Sequence, residues 1–269
     1  MADGSEVREP TARSVVIAGN WKMNHGPSAT RRFFAQFQPS FDPDRIRVVL
    51  FPPNVSLAEA GGCLPHDSPI ILGVQNIHWE AAGAVTGEIS AEMALEVGAG
   101  LVLVGHSERR QLFGETEAET ALKIAAARRA GLLPVLCVGE TLDERVGGRL
   151  REVIWGQLDA GLGSETGSEL VAGPQGAPPI LIAYEPVWAI GTGQTATSSD
   201  AADAHGLLRE RLSHALGSET AETVPILYGG SVNPDNASEL MRAPDVDGVL
   251  VGGASLDPGS FARIVAAAS

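Results

Sequence analysis

Three side chains with acid–base or anion-binding chemistry stand just after short apolar runs of the chain: Lys22, His106 and Glu185. A lysine in such a place can hold an anion, because its ammonium is a compact point charge. A carboxylate desolvated at the end of an apolar strand gains basicity and can accept a proton. Each residue also has a plain structural interpretation: Lys22 as a surface lysine, His106 as a satisfied core histidine, and Glu185 as the partner of an arginine.

His106 precedes Ser107 and Glu108 at a predicted junction between a strand and a helix. The positive end of the helix dipole lowers the pKa of a nearby imidazole and favours its neutral form. A neutral imidazole can donate an N–H to a substrate oxygen. The pattern therefore predicts that His106 acts as a hydrogen-bond donor.

Two glycine-rich turns, Gly229-Gly230-Ser231 and Gly252-Gly253, follow the last two apolar runs. Glycine lets backbone N–H groups approach an anion, and a helix that starts there adds its dipole. The first turn is a near miss for the nucleophile elbow GxSxG, because Asn233 occupies the position of the last glycine. Barrel enzymes often bind phosphate after strands 7 and 8, so both turns predict a phosphate site.

The chain is acidic, with 19 basic and 33 acidic residues and a formal net charge of −14. A nucleic-acid-binding protein would present a basic patch, and the sequence contains none. The acidity favours solubility and leaves any phosphate site to backbone N–H groups or to a single placed cation. No apolar run reaches the ~18 residues that span a bilayer, so we expect no membrane partner.

The segment Gly191–Ala196 resembles the dinucleotide-binding fingerprint GxGxxA. It does not directly follow a strand, and no acidic ribose ligand stands at a strand end about 20 residues later. A glycine-rich segment that begins after Pro186 is more typical of a lid, whose small residues can absorb backbone rotation. We therefore expect no dinucleotide cofactor.

The elements that must position these residues are short, continuously apolar runs that alternate with helical patterns. Such runs are typical of buried parallel strands. The eight predicted strands are Val15–Ala18, Val48–Phe51, Ile71–Val74, Leu101–Val104, Leu133–Val138, Ile180–Tyr184, Ile226–Tyr228 and Val249–Val251. Strands alternating with helices predict a parallel α/β fold, and periodicity alone is compatible with a closed barrel or an open doubly wound sheet.

Helices are predicted between the strands from apolar spacing and from capping residues. They cover Ala29–Phe37, Thr116–Ala130, Leu142–Leu162, Ser198–Leu216, Pro234–Met241 and Phe261–Ala267. The segment Gly161–Pro179 is rich in glycine, serine and proline. It predicts a surface loop and not a domain linker, because the strand–helix alternation resumes directly after it.

We expect a single domain over residues 14–269, preceded by a disordered or ragged tail over residues 1–13. The tail is charged and lacks the apolar stretch of a signal peptide. Cys63 and Cys137 are far apart and have no paired histidine, so neither a disulfide framework nor a zinc site is expected. This cysteine usage fits a reducing cytoplasm.

Several segments together resemble the signature sequences of the triosephosphate isomerase family. They are Asn20–Asn24, Gly105–Arg110, Ala183–Gly193 and Tyr228–Val232, with further matches at Gln75-Asn76 and Cys137–Thr141. The resemblance extends over about residues 14–267. It implies a closed (β/α)₈ TIM barrel of eight parallel strands with outer helices, which interconverts dihydroxyacetone phosphate and glyceraldehyde 3-phosphate without a cofactor or metal.

The resemblance also implies a role for each matching residue. Glu185 would abstract the proton between the two carbons, and a neutral His106 would move a proton between the two oxygens. Lys22 and Asn20 would stabilise the enediolate and position the substrate, and Glu108 matches an active-site glutamate of the family. The implied phosphate ligands are Gly191, Ser231, Gly252 and Gly253.

The family is usually homodimeric, with the loop after strand 3 inserted beside the partner's active site. Here that loop is His78–Ser90, with Thr86 at its tip. Val85 replaces the phenylalanine that is common there, which predicts a smaller contact. Gln194 replaces the lysine that is common at the end of the family's lid, here Pro186–Gly193, so lid kinetics are expected to differ while the chemistry does not.

Two other functions explain part of the pattern. Another phosphate-binding barrel enzyme, acting on a different sugar or indole phosphate, would explain the glycine turns but not Lys22, His106 and Glu185 together. Inhibition by a phosphorylated enediolate mimic such as phosphoglycolate would separate the two enzymes. A catalytically silent binding protein on the same scaffold is disfavoured, because loss of function should alter these three residues first.

Overall fold

The computed structural model describes residues 13–163, 178–190 and 196–268. Its strands pair in chain order, every pair is parallel, and the last strand pairs with the first to close a barrel. The strands are β1 (Val15–Asn20), β2 (Ile46–Phe51), β3 (Ile70–Val74), β4 (Ala99–Val104), β5 (Leu133–Val138), β6 (Leu181–Tyr184), β7 (Ile226–Tyr228) and β8 (Gly248–Val251). The closed barrel is confirmed, and the open sheet is excluded.

Each predicted strand is present within about two residues of its predicted bounds, a normal uncertainty for element ends. The apolar runs are continuous because both faces of each strand are buried. Val16 and Ala18 of β1 pack inside the barrel against Val49, whereas Ile17 and Val48 pack in the layer between the barrel and the helices. The strands therefore form a filled core that holds their carboxyl ends in fixed positions.

Eleven α-helices pack around the barrel within the described residues. They are α1 (Pro27–Phe34), α2 (Asn54–Cys63), α3 (Ala91–Glu96), α4 (Ser107–Phe113), α5 (Glu117–Ala130), α6 (Leu142–Val146), α7 (Leu150–Leu162), α8 (Ser198–Leu216), α9 (Ser218–Ala221), α10 (Ala237–Met241) and α11 (Pro258–Ala266). In the same part of the chain, two short 3₁₀ turns cover Val187–Ala189 and Gly253–Ser255. The bounds of α8 are those predicted, whereas α1 and α11 begin and end earlier than predicted.

Among the described helices, three begin with a reciprocal capping box. The pairs are Thr116 with Glu119 at α5, Thr141 with Glu144 at α6, and Thr197 with Asp200 at α8. In each pair the threonine hydroxyl accepts a backbone N–H of the first turn, and the acidic side chain accepts the N–H of the threonine. Thr116 is thus the cap of α5 and lies just outside the helix that was predicted to include it.

The prediction of one continuous helix over Leu142–Leu162 is wrong. Gly147 and Gly148 end α6, and Gly148 has a φ of +68°, in the left-handed region that glycine adopts without steric cost. The chain resumes a helix only at Leu150. The break leaves α6 as a short separate element beside the carboxyl end of β5.

The helix predicted to begin at Pro234 begins instead at Ala237. The side chain of Asn233 accepts the N–H groups of Asp235 and Asn236, at 2.9 and 3.2 Å. These side-chain hydrogen bonds form a turn that competes with helix formation. The proline therefore belongs to this turn, and α10 is a single short helix.

Arg13 is bound at the amino-terminal end of the barrel. Its Nε lies 2.6 Å from Asp247 Oδ1, and its Nη1 lies 2.6 Å from Glu222 Oε2. Residues 1–12 of the predicted tail and residues 164–177 of the predicted loop lie outside the described residues. Among the residues that are described, no helix has the length and apolar character needed to cross a membrane.

Candidate active site

The carboxyl ends of five strands surround a cavity of about 460 Å³. This face of a parallel barrel is where loops can bring distant side chains together. The predicted site residues that line the cavity are Asn20, Lys22, His106, Glu108, Glu185, Ser231, Gly252 and Gly253. Gly191, the remaining predicted ligand, lies outside the described residues.

Lys22 is held through its backbone as well as its side chain. Its φ of +52° lies in the left-handed region, which side-chain-bearing residues rarely adopt. The Lys22 N–H donates to Asn20 Oδ1 at 3.0 Å, and Gln75 Nε2 donates to the Lys22 carbonyl at 2.9 Å. The ammonium lies 2.6 Å from Glu108 Oε1. Gln75, which the sequence marked only as a family match, therefore helps to fix the turn that carries the lysine.

The Glu185 carboxylate is buried and is held at the start of α4. The Ser107 N–H donates to Oε2 at 2.9 Å, and the Ser107 hydroxyl donates to Oε1 at 3.3 Å. His106 Nε2 lies 3.0 Å from the same Oε1 atom. Ser107 was not predicted as a site residue, although it directly follows His106 and lies in the family segment Gly105–Arg110.

These contacts set the pKa of Glu185. Burial raises the pKa of the carboxyl group, but His106, the Ser107 N–H and Lys22 together lower it below its ordinary value. The raised basicity predicted from the sequence is therefore wrong for this conformation. The donors at the start of α4 stabilise the carboxylate more than burial destabilises it.

The pKa of His106 also depends on burial and on its contact with Glu185. Burial lowers this pKa, the Glu185 carboxylate raises it by more, and the net shift is upward. The lowered pKa predicted from the helix start is thus wrong while Glu185 remains here. His106 Nδ1 nevertheless caps α4 by accepting the Glu108 N–H at 3.2 Å, which only an unprotonated nitrogen can do. In this geometry the ring is neutral, with its proton on Nε2 towards Glu185.

The backbone around Glu185 packs against the carboxyl end of β5. A Cβ atom at Gly139 would lie 1.7 Å from the Glu185 carbonyl oxygen, so only glycine fits there. The next residue, Glu140, is fully buried, and its Oε1 accepts the Tyr184 hydroxyl at 3.0 Å and Trp188 Nε1 at 2.8 Å. Tyr184, just before Glu185, and Trp188, three residues after it, are therefore both anchored to the Glu140 carboxylate.

The glycine turns keep the opposite wall of the cavity free of side chains. A Cβ atom at Gly253 would meet nothing within 4 Å, and one at Gly252 would approach Lys22 Cε at 3.5 Å. The helix dipole predicted after Ser231 is absent at that position, because α10 starts only at Ala237. An anion at this wall would therefore have to bind backbone N–H groups of the turns and the nearby lysine.

A second cavity, of about 370 Å³, shares Lys22 and Glu108 with the first. It is bordered by Gly87, from the loop that follows β3, and by Phe113 at the end of α4. Phe113 is 71% exposed, and Met23, which also lines this cavity, is 95% exposed. Large exposed apolar side chains around a cavity are typical of a protein interface.

Comparison with known proteins identifies the family. A model of the triosephosphate isomerase family matches residues 15–268. The triosephosphate isomerases of Solibacter usitatus and Nostoc punctiforme are 47% and 49% identical over 254 and 255 residues, covering 94% of this chain and 99% and 98% of the relatives. The crystal structure of triosephosphate isomerase from Bartonella henselae matches with a TM-score of 0.80 and 38% identity, covering 94% of this chain and 98% of that one. The chain therefore belongs to the triosephosphate isomerase family, and it is an isomerase.

Proposed function

We propose that Glu185 is the base of this isomerase, which interconverts dihydroxyacetone phosphate and glyceraldehyde 3-phosphate in glycolysis and gluconeogenesis. Glu185 removes a proton from one of the two adjacent carbons and returns it to the other, with an enediolate between the two steps. The observation that carries this proposal is the convergence of Glu185, His106 and Lys22 on one cavity. No step of this chemistry needs a cofactor.

The base has to leave its contacts with Ser107 before it reacts. Bound to Ser107 and His106, the carboxylate has a lowered pKa and is a weak base. A substrate in the cavity takes over the hydrogen bond from His106, and Glu185 moves towards the substrate carbon. Burial then acts on the carboxylate without the Ser107 donors and raises its basicity.

His106 and Lys22 stabilise the negative charge that develops on the substrate oxygens. His106 Nε2–H donates to these oxygens once Glu185 has moved, and it passes a proton between them. The Lys22 ammonium balances the charge of the enediolate. Asn20 positions the substrate and fixes the Lys22 N–H, and Glu108 orients the ammonium through their ion pair.

The phosphate group binds at the turns after β7 and β8. Ser231, Gly252 and Gly253 supply backbone N–H groups there, and Gly191, outside the described residues, completes the set. Among the described residues that line this cavity, Lys22 is the only lysine or arginine. Binding through backbone dipoles explains how a chain with a net charge of −14 accepts a dianion.

Shortening the base tests its assignment. A carboxylate withdrawn by about 1 Å can cost about 100-fold in rate, so we expect Glu185→Asp to lower kcat by about that factor. KM should change by less than about threefold, because ground-state binding is kept. Activity is measured on glyceraldehyde 3-phosphate with no added cofactor or metal, and the exposed Glu152 in α7 provides the control variant Glu152→Asp. Unchanged turnover in Glu185→Asp would refute the assignment.

We also propose a homodimer formed through the loop His78–Ser90. Its tip, Thr86, enters the second cavity of another copy, next to Lys22. The support for this is that Met23 and Phe113, both largely exposed, border a cavity that contains Lys22. A dimer that fills this cavity would complete one wall of each active site.

The remaining proposals concern organisation and location. We propose one catalytic domain over residues 14–269, with residues 1–13 as a tail. A cytoplasmic location is supported by Cys63 and Cys137, which are both free thiols.

A further inference from the structure

Arg145, on the short helix α6, contacts three residues near the chain that follows Glu185. Its Nη1 donates to Glu140 Oε1 at 3.2 Å, and its Nη2 forms an ion pair with Asp200 Oδ1. Its guanidinium also lies over the Trp188 ring, 5.2 Å from the centroid. The side chain is only 23% exposed, so these contacts are largely shielded from water.

Two of these contacts, with Glu140 and Trp188, hold the part of the chain that comes before Ile190. Glu140 anchors Trp188, three residues after Glu185, through the indole N–H at 2.8 Å. Arg145 donates to the same carboxylate oxygen and stacks on the same indole ring. The guanidinium and the buried carboxylate therefore hold Trp188 from two sides.

The third contact, with Asp200, lies in the part of the chain that comes after Ala196. Asp200 belongs to the first turn of α8, where it accepts the Thr197 N–H at 2.9 Å as part of the capping box. Burial raises the pKa of Asp200, but the Thr197 donors and Arg145 lower it by more. The net shift is downward, so the aspartate stays charged. One guanidinium thus joins the end of the base-bearing segment to the start of α8.

We propose that Arg145 is a positioning residue for the isomerase reaction, acting through Trp188 and Asp200 on the backbone that carries Glu185. This inference rests on the proposed role of Glu185 as the base. Catalytic groups must be held within about 0.5 Å of their productive position, and the anchor of Trp188 lies only three residues from the base. Losing that anchor displaces the carboxylate from the reacting carbon.

The contacts with Glu140, Asp200 and Trp188 require an arginine side chain. A planar guanidinium can stack on an indole and donate to two carboxylates at the same time. A lysine ammonium is a compact charge and cannot combine stacking with both ion pairs. Arg145→Lys therefore keeps the charge and removes the geometry, which separates the two contributions.

A merely structural arginine would behave differently from a positioning one. If Arg145 only stabilised α6, its removal would lower the melting temperature and leave kcat of the folded enzyme unchanged. If it positions Glu185, kcat falls at temperatures far below the melting temperature and by a larger factor than KM rises, because the phosphate turns after β7 and β8 are not touched. The split between kcat and KM in the folded enzyme therefore distinguishes the two roles.

The test compares Arg145→Gln and Arg145→Lys with Arg151→Gln. Arg151 is a matched control, since it stacks on Trp155 at 4.6 Å and pairs with Glu210 at 3.2 Å, away from the site. We expect Arg145→Gln to lower kcat by about tenfold and Arg145→Lys by about fivefold, with KM within about twofold. Arg151→Gln should stay within about twofold in both constants. Folded Arg145 variants with normal kcat would overturn the inference.

Asp200→Asn keeps the capping geometry of α8 and removes the charge that Arg145 binds. If both residues act through their contact, the double variant Arg145→Gln/Asp200→Asn loses no more activity than the worse single variant. Multiplied losses would overturn the link to Asp200. Glu185→Gln tests the base independently: its inactivity, together with normal kcat in Arg145→Gln, would reject the positioning role and leave the base assignment intact.

Discussion

Mild acid should destabilise this enzyme through His205, a buried histidine of α8 that lies outside the active site. His205 is fully buried, and its Nδ1 donates to the Asp245 carbonyl at 2.9 Å. Its Nε2 atom is also buried, with no hydrogen-bond partner among the described residues. Burial lowers the pKa of His205 to about 4, with Arg209 acting in the same direction and Asp245 opposing them.

The sign and size of the effect follow from linkage. The unfolded chain protonates this histidine near its ordinary pKa of about 6.5, whereas the folded protein does so only near pH 4. Between these values the unfolded state binds more protons, so the free energy of unfolding falls as the pH falls. For the two pKa values this loss is about 2 kcal/mol at pH 5 and about 3 kcal/mol at pH 4, relative to neutral pH.

His205→Asn isolates this contribution. The asparagine amide can donate to the Asp245 carbonyl in place of Nδ1 but does not titrate. Urea unfolding at a fixed protein concentration gives the free energy of unfolding at about pH 7.5 and at about pH 5, and carboxylates that titrate in both proteins cancel in the difference. The native protein should lose about 2 kcal/mol more than the variant over this range.

The control for this experiment is His66→Asn, which replaces an exposed histidine. Its free energy of unfolding should follow that of the native protein at both pH values. If the native protein and His205→Asn showed equal pH dependence, His205 would have the same pKa in the folded and the unfolded states. The argument from burial would then fail.

Two further predictions concern the cavities. Lys22→Ala should raise KM by at least about tenfold and lower kcat, because the ammonium beside the glycine turns is lost; near-normal constants in a steady-state assay would contradict its role. Phe113→Glu should convert the proposed dimer to a monomer in light scattering and lower activity, because a charge is placed in an apolar interface. Leu122→Glu, at a half-exposed apolar position of α5, is the control, and full activity of a monomer at the assay concentration would overturn the dimer proposal.

The strands could be predicted because their sequence pattern has a single physical cause. Residues such as Val48 and Val49 face opposite sides of β2, yet both are buried, one against helices and one inside the barrel. Only parallel strands covered on both faces combine such short length with continuous apolar character. Closure of the barrel had no such local signal, because it depends on the pairing of Val16 with Gly248, at opposite ends of the chain.

The helices were predicted less well, since their ends depend on local competition. The helix predicted over Leu142–Leu162 is interrupted where Gly148 adopts a positive φ, and the dipeptide Gly147-Gly148 was a turn signal that the prediction passed over. Helix α2 was not predicted, because Asn54–Cys63 lacks a clear apolar face. The break before Leu150 matters for function, because it leaves Arg145 on a separate short helix beside Trp188.

The structure brings eight of the predicted site residues to one cavity, as their places at strand ends predicted, whereas the pKa shifts of Glu185 and His106 run opposite to those predicted. The sequence placed Glu185 after an apolar strand, and it is buried, but the raising effect of burial on its pKa is outweighed by His106 and by Ser107, 78 positions away in the chain, together with Lys22. A single atom, Glu185 Oε1, contacts both the Ser107 hydroxyl and His106 Nε2. In the proposed mechanism, one displacement of this carboxylate therefore has two effects. It frees the base from the donors that weaken it, and it removes the charge that raises the pKa of His106, so the step that strengthens the base also keeps the histidine neutral.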